Sequence, residues 1–184
     1  VVETRSRETS NHVTRVAEIC YLMARKYGLG EEEAEMLRLA APMHDVGKIG
    51  IPEILLNKPG KLTKTEFEIV KEHARIGYEI LRNSKRQIME TAAIVALQHH
   101  ERWDGKGYPQ GIAGEEIHIY GRISAIADVF DALTHKRCYK DAWPDDRVVD
   151  FFEQGAGTQF DPDLTRIFLS CTDEFFQIKA RFPE

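Results

Sequence analysis

His44 and Asp45 are adjacent and Lys48 follows three residues later, within the run MHDVGKIGIP from Met43 to Pro52. An imidazole nitrogen and a carboxylate oxygen can share one divalent cation, and a carboxylate can also bridge to a second, which suits Asp45 to the middle of a cluster. Lys48 stands close enough in sequence to meet a phosphate. By itself such a pair describes a hydrogen-bonded core histidine more often than a ligand, so further donors have to come from elsewhere in the chain. Five of the seven histidines, His12, His44, His73, His99 and His100, fall at the ends or buried faces of separate predicted helices, as do Asp45 and Asp128. Nitrogen and oxygen donors without a thiolate favour iron, manganese, nickel, cobalt or zinc over copper(I) and do not choose among them. His118 and His135 stand in polar loop context and read as surface residues.

Helices must position these groups. Residues 11–27 carry Val13, Val16, Cys20, Met23 and Tyr27 at the helical period and stop at Gly28, with His12 on the same stripe one turn before Val16. Glu31, Glu32 and Glu33 suit the positive end of the next helix, whose Ala34, Leu37 and Ala40 or Ala41 lead to His44. Pro42 has no amide donor and should kink or close that helix just before the His-Asp pair.

Thr63 and Glu66 form a capping box, with Leu62 and Phe67 as a hydrophobic staple, and the helix they open buries Phe67, Val70, Ala74, Gly77 and Leu81 around His73. Small Ala74 and Gly77 leave room for a ligand or serve a close helix crossing. A further helix, with Ile88, Ala92, Val95 and Ala96 inward, ends on His99-His100, where the backbone can turn both rings to one point. In the loop beyond, Gly105, Gly107 and Pro109 enforce turns, while Trp103 and Tyr108 either stack on a planar ring or cover the core.

Residues 119–134 predict a helix burying Ile123, Ile126, Ala127, Phe130 and Leu133, with Asp128 beside that face. A carboxylate there needs a cation or several donors, because burying it unpaired costs several kcal/mol. Arg137 and Lys140 follow on a loop, aimed at a phosphate or merely solvated. Pro144 takes the first position of a short helix, and Asp161-Pro162 opens a last one running through Leu164, Ile167, Phe168 and Phe175. No strand pattern or repeat is visible, so the fold expected is all-α.

The 184 residues, 42% hydrophobic and 30% charged, suffice for one buried core, and no apolar run approaches a membrane span or a signal peptide core, so a cytoplasmic protein is expected. Cys20, Cys138 and Cys171 are widely spaced without a CxxC, which argues for reduced thiols. A net charge of −5 argues against a nucleic-acid polymer as partner and leaves a small phosphate ligand open. The chain starts without a Met, as a single domain, residues 1–184, cut from a longer signalling protein would.

In its longer phrases the chain resembles the HD-GYP family, the cyclic di-GMP phosphodiesterase branch of the HD phosphohydrolases. His44-Asp45 match the HD, Gly107-Tyr108-Pro109 the GYP, and HDVGKIGIP, KPGKLT, HHERWDGKGYP, ADVFDALT and GTQFDP match family phrases in order over nearly the whole chain. The resemblance implies an HD-domain helical bundle of five core helices plus C-terminal additions. It makes His12, His44, Asp45 and Asp128 ligands of one metal, with Asp45 shared to a second held by His73, His99 and His100. Glu8, four residues before His12, matches an acid associated in some members with a third metal.

By the same resemblance Asp45 and Lys48 are the catalytic residues, with Lys48 on the scissile phosphate. Arg137 and Lys140 meet the substrate phosphates, and Tyr108 lines the pocket. The activity implied is hydrolysis of cyclic di-GMP to pGpG, with further cleavage to GMP as an option, by water activated between two or three divalent ions, iron or manganese first. A GGDEF-domain protein is an implied partner. Cys138 departs from the family's usual proline between Arg137 and Tyr139. The alternatives are a non-catalytic cyclic dinucleotide sensor or diguanylate-cyclase docking module, and another HD-type nucleotide phosphohydrolase. The first is disfavoured by the complete ligand set, the second by the His99-His100 pair and the GYP loop.

Overall fold

The computed structural model describes residues 10–135 and 142–183, and α1 (Ser10–Tyr27) is the helix around which the others gather. It ends at Gly28, whose φ of +101° is open to glycine and strained for other residues. Val16, Ile19, Cys20 and Met23 form its buried stripe. The stripe is shifted from the sequence expectation: Val13 is only half-buried and Tyr27 is exposed, while Arg15 is fully buried. The reason is tertiary, because the face carrying Arg15 meets an acidic partner on a later helix.

α2 (Glu31–Ala40) packs on α1, with Ala34, Leu37 and Ala40 inward and its three glutamates in the first turn. Pro42 closes it as expected, into a 3-10 turn over Ala41–Met43, and a second 3-10 turn, Val46–Gly50, follows. After the short α3 (Glu53–Leu56) comes α4 (Lys64–Leu81). Its capping box is formed as read: the Thr63 hydroxyl accepts the Glu66 amide at 3.2 Å and the Glu66 carboxylate accepts the Thr63 amide at 2.8 Å.

α4 pairs with α5 (Gln87–Gln98), which also packs on α2 and α6 (Ile119–Thr134). Ala40, Leu81, Ala92, Ala93 and Ala96 fill this junction. Their small volumes let the helices approach closely. Phe67 and Ile88, expected inward, are only half-buried; the Phe67 ring instead borders a cavity beside Tyr108, 6.1 Å away.

The larger core joins α1 and α6 to the C-terminal helices α7 (Asp145–Gly155), α8 (Pro162–Ser170) and α9 (Thr172–Arg181). Pro144 is the N-cap of α7 and not its first helical residue. The single last helix expected from sequence is two, because Cys171 leaves the helical region at φ −140° and ψ 32°. That break lets Phe168 and Phe175 both meet Phe130, at ring separations of 5.9 and 5.4 Å. Among the described residues β pairing is limited to one isolated bridge, Ala156 to Phe160, and no helix is long and apolar enough to cross a membrane.

Candidate metal centre

Five helical segments converge where α1, α4, α5 and α6 surround the two 3-10 turns. His12 comes from the first turn of α1, His73 from the interior of α4, His99 and His100 from the end of α5, and Asp128 from α6. His44 and Asp45 occupy the joint between the 3-10 turns, where Asp45 sits at φ −102° and ψ 10°, so the break begun by Pro42 turns both side chains into the cluster. Gly47 makes this possible. A Cβ there would lie 1.9 Å from the His73 carbonyl oxygen, so the second 3-10 turn rests directly on the main chain of α4. The small Gly77 belongs to the same crossing, so at that position the reading is close packing.

The donors fall into two groups, Asp45 with His73, His99 and His100, and His12 with His44 and Asp128, each with its ligand atoms within 4.8 Å of one another. Asp45 divides its oxygens between them: Oδ2 lies 3.2 Å from His44 Nε2, and Oδ1 lies 3.2 Å from His73 Nε2 and 3.8 Å from His99 Nε2. His44 Nε2 is also 3.9 Å from Asp128 Oδ1.

A main-chain carbonyl accepts and cannot donate, so a ring nitrogen bonded to one carries the proton. Nδ1 of His44 donates to the Ala41 carbonyl at 2.9 Å, Nδ1 of His73 to Val70 at 2.6 Å, and Nδ1 of His99 to Val95 at 3.0 Å. In the neutral rings Nε2 is then a bare acceptor. His73 Nε2, His99 Nε2 and Asp45 Oδ1 are buried without a hydrogen-bond partner among the described residues. Acceptor faces acceptor at 3.2 Å, an arrangement that costs several kcal/mol of desolvation unless a cation stands between. The arrangement fits a metal better than a satisfied core histidine.

Electrostatics agree with the geometry. Burial would raise the Asp45 carboxyl, but the Lys48 ammonium, which donates to Oδ2, holds it well below the usual carboxylate range. Burial pushes His99 down to about 3 and His100 well below the ordinary histidine range, so both stay neutral, the form that binds metal.

Beside His100 opens a cavity of about 280 Å³ whose lining includes Phe67, Lys71, Tyr108, Asp128, Trp143 and Phe151. Tyr108 stacks on His100 with ring centroids 4.7 Å apart, and Lys71 lies over the Tyr108 ring at 5.4 Å. The buried Glu101 holds the loop in place by accepting the amides of Gln110 at 2.7 Å and Gly111 at 3.1 Å. Trp103 is outside the cavity lining and packs under the Arg122 guanidinium at 5.8 Å.

Of the sequence candidates, His12, His44, Asp45, Lys48, His73, His99, His100, Tyr108 and Asp128 come together, and Glu8, Arg137 and Lys140 lie outside the described residues, as does Cys138. His118 is exposed as expected, but His135 is not a surface residue: it is buried, with Nδ1 3.3 Å from Asp131 Oδ1. Asp131, Arg15, Gly47 and Trp143 went unrecognised as contributors. The only signal for the first two is helical spacing, Arg15 three residues after His12 and Asp131 three after Asp128.

A helical bundle that seats a His-Asp pair among histidines and an aspartate from four other helices is an HD domain. A family model described as HD domain matches residues 1–164, and the chain belongs to that family. It is 50% identical over 183 residues to the 3'3'-cGAMP-specific phosphodiesterase 2 of Vibrio cholerae, covering 100% of this chain and 35% of that protein. Identity is 44% over 181 residues with the cyclic di-GMP phosphodiesterase response regulator RpfG of Xanthomonas campestris, covering 98% of this chain and 48% of that one. Among solved structures, Bd1817, an HDG"Y"P protein from Bdellovibrio bacteriovorus, superposes with a TM-score of 0.67 at 17% identity, over 88% of this chain and 51% of that one, which speaks for the fold. The chain thus spans between a third and a half of the length of these curated relatives.

Proposed function

We propose that this chain is the catalytic unit of a metal-dependent phosphodiesterase that opens a cyclic dinucleotide, cyclic di-GMP or 3'3'-cGAMP, to the linear dinucleotide. The observation that carries the reading is Asp45, whose two oxygens face Nε2 of His44 on one side and Nε2 of His73 on the other at 3.2 Å, while each ring's Nδ1 is bonded to a main-chain carbonyl. In this reading His12, His44, Asp45 and Asp128 hold one divalent ion, and Asp45, His73, His99 and His100 hold the other, iron or manganese suiting the nitrogen and oxygen donors. Glu8 adds a third. Such ions, when bound, supply the Lewis acidity that phosphodiester hydrolysis requires.

The side chains do the rest. Backbone carbonyls fix the His44, His73 and His99 rings so that Nε2 points inward, which removes reorganisation from the reaction. Lys48, seated on Asp45 and partly open to solvent, neutralises charge on the scissile phosphate. Tyr108, braced by His100, offers a face to a base entering the aromatic cavity, and Arg137 and Lys140 hold the remaining phosphate. No serine, cysteine or threonine is asked to act as nucleophile.

The test is metal analysis of anaerobically purified protein together with chromatography of the products from cyclic di-GMP and from 3'3'-cGAMP. Linear dinucleotide from either substrate, with at least two ions per chain, is the expected result. Two ions with neither substrate cleaved would overturn the catalytic reading and leave a binding module.

A further inference from the structure

His44, His73 and His99 share one device, an Nδ1 proton given to a carbonyl of the main chain close by in sequence. His12 is held differently. Its Nδ1 lies 2.6 Å from Oδ2 of Asp131, a carboxylate 119 residues away in sequence and only 2% exposed. Arg15, fully buried one turn along α1, closes on the same carboxylate: Nε donates to Oδ1 at 2.5 Å and Nη2 to Oδ2 at 3.2 Å. His135 approaches from the end of α6, Nδ1 to Oδ1 at 3.3 Å, and the other arm of Arg15 donates through Nη1 to the Phe182 carbonyl at 2.8 Å, just beyond α9.

Bringing Asp131 and Arg15 into the junction of α1 with α6 carries a desolvation penalty of several kcal/mol per ion, and apolar residues of similar volume would serve packing as well or better. What apolar residues could not do is act on His12. An ionised carboxylate only accepts, so the proton stays on Nδ1 and Nε2 is left as the donor atom offered to the cluster shared with His44 and Asp128. A carboxylate also raises the basicity of the ring more than a carbonyl does, and such partners commonly change metal affinity by about 10 to 100-fold. Burial works against ionisation here, but the Arg15 guanidinium donates to both oxygens of Asp131 and favours the charged carboxylate.

We propose that Asp131, held by Arg15 and His135, is the positioning residue of His12, so that cation affinity in the His12, His44 and Asp128 half of the centre depends on a buried carboxylate as well as on the carbonyl behind His44, while in the other half His73 and His99 rely on main-chain carbonyls alone. The proposal rests on the metal-centre reading above. It makes the two halves separable: a change at Asp131 acts on one ion and spares the other.

The experiment is Asp131→Asn in the full chain, with manganese as the probe. Ions per chain and their affinities are read by competition with a chelator, and the His12 ring tautomer of the metal-free protein is read by nitrogen-15 NMR. Expected are one ion weakened by about 10 to 100-fold, the other within about twofold of wild type, and loss of the pure Nδ1-protonated signature of His12. A merely structural Asp131 would lower the melting temperature and leave the tautomer as it was. Should the lone Arg15 charge prevent folding, Arg15→Gln with Asp131→Asn removes both charges and carries the same expectation. Equal weakening of both ions, or wild-type affinity at both, overturns the proposal. Absence of manganese from the unsubstituted protein at saturation would instead overturn the metal-centre reading, and it would be seen before any substitution is made.

Discussion

Gly47→Ala puts the way the centre is assembled to a direct test. The added Cβ would lie 1.9 Å from the His73 carbonyl oxygen and 2.4 Å from the Gly77 amide nitrogen, both main-chain atoms that no rotamer change can remove. Restoring the 3.4 Å of ordinary contact requires the 3-10 turn Val46–Gly50 and α4 to separate by about 1.5 Å. Asp45 rides on the first and His73 on the second, so their 3.2 Å approach opens by a comparable amount. Overpacking a core typically costs 1–3 kcal/mol, and with backbone on both sides the upper end, about 3 kcal/mol, applies. For a chain of this size that lowers the melting temperature by roughly 6–12 °C. A misplacement near 1 Å at a reacting centre costs on the order of 100-fold in rate. Differential scanning calorimetry, metal content and turnover would all be measured, with Gly50→Ala as comparison, because its Cβ meets only the Ile76 side chain, which can turn aside. A Gly47→Ala protein that melts within about 1 °C of wild type and keeps its full metal complement would refute the argument that this contact positions Asp45.

Asp45→Ala should abolish hydrolysis and leave at most one ion per chain, because the two oxygens of Asp45 divide between the two groups of donors; elemental analysis and a product assay decide it. Replacing Arg137 or Lys140 with Ala should weaken substrate binding in calorimetric titration while metal content stays at the wild-type level. Asp104, brought down to about 2 chiefly by hydrogen bonds from Arg102, has a folded value below its unfolded one, so its contribution is complete above about pH 4 and is lost as pH falls towards 2. The melting-temperature difference between Asp104→Asn and wild type should therefore be present at pH 7 and close through that acid window.

The α-helical class, the capping box at Thr63 and the clustered histidines were legible because each is a local pattern: a period, a cap, or a polar residue where the period demands an apolar one. His12 and His73 broke an apolar stripe and Asp128 adjoined one, and they were visible for that reason. Arg15 and Asp131 were not, because charged residues on a helix ordinarily mark the solvated face, and what buries them is a partner 116 residues distant. His135 was misplaced for the same cause: its polar neighbourhood in sequence conceals an i, i+4 approach to Asp131. The split at Cys171 was also hidden, since the apolar residues on either side keep one helical period while the chain changes direction between them.

The convergence of helices on one cluster has a bearing on how long the protein lasts. His12 and Asp128 are separated by 116 positions, and an ion gripping both acts as a staple across most of the chain, in the way a disulfide does but reversibly. Stabilisation by such an ion grows with the logarithm of its free concentration, by about 2.7 kcal/mol at a hundredfold excess over the dissociation constant. When the surrounding supply of metal falls, the staple opens before any substrate is involved, and acceptors packed against acceptors in the interior then favour unfolding. If the centre holds metal as proposed, the lifetime of the folded chain becomes a readout of metal supply.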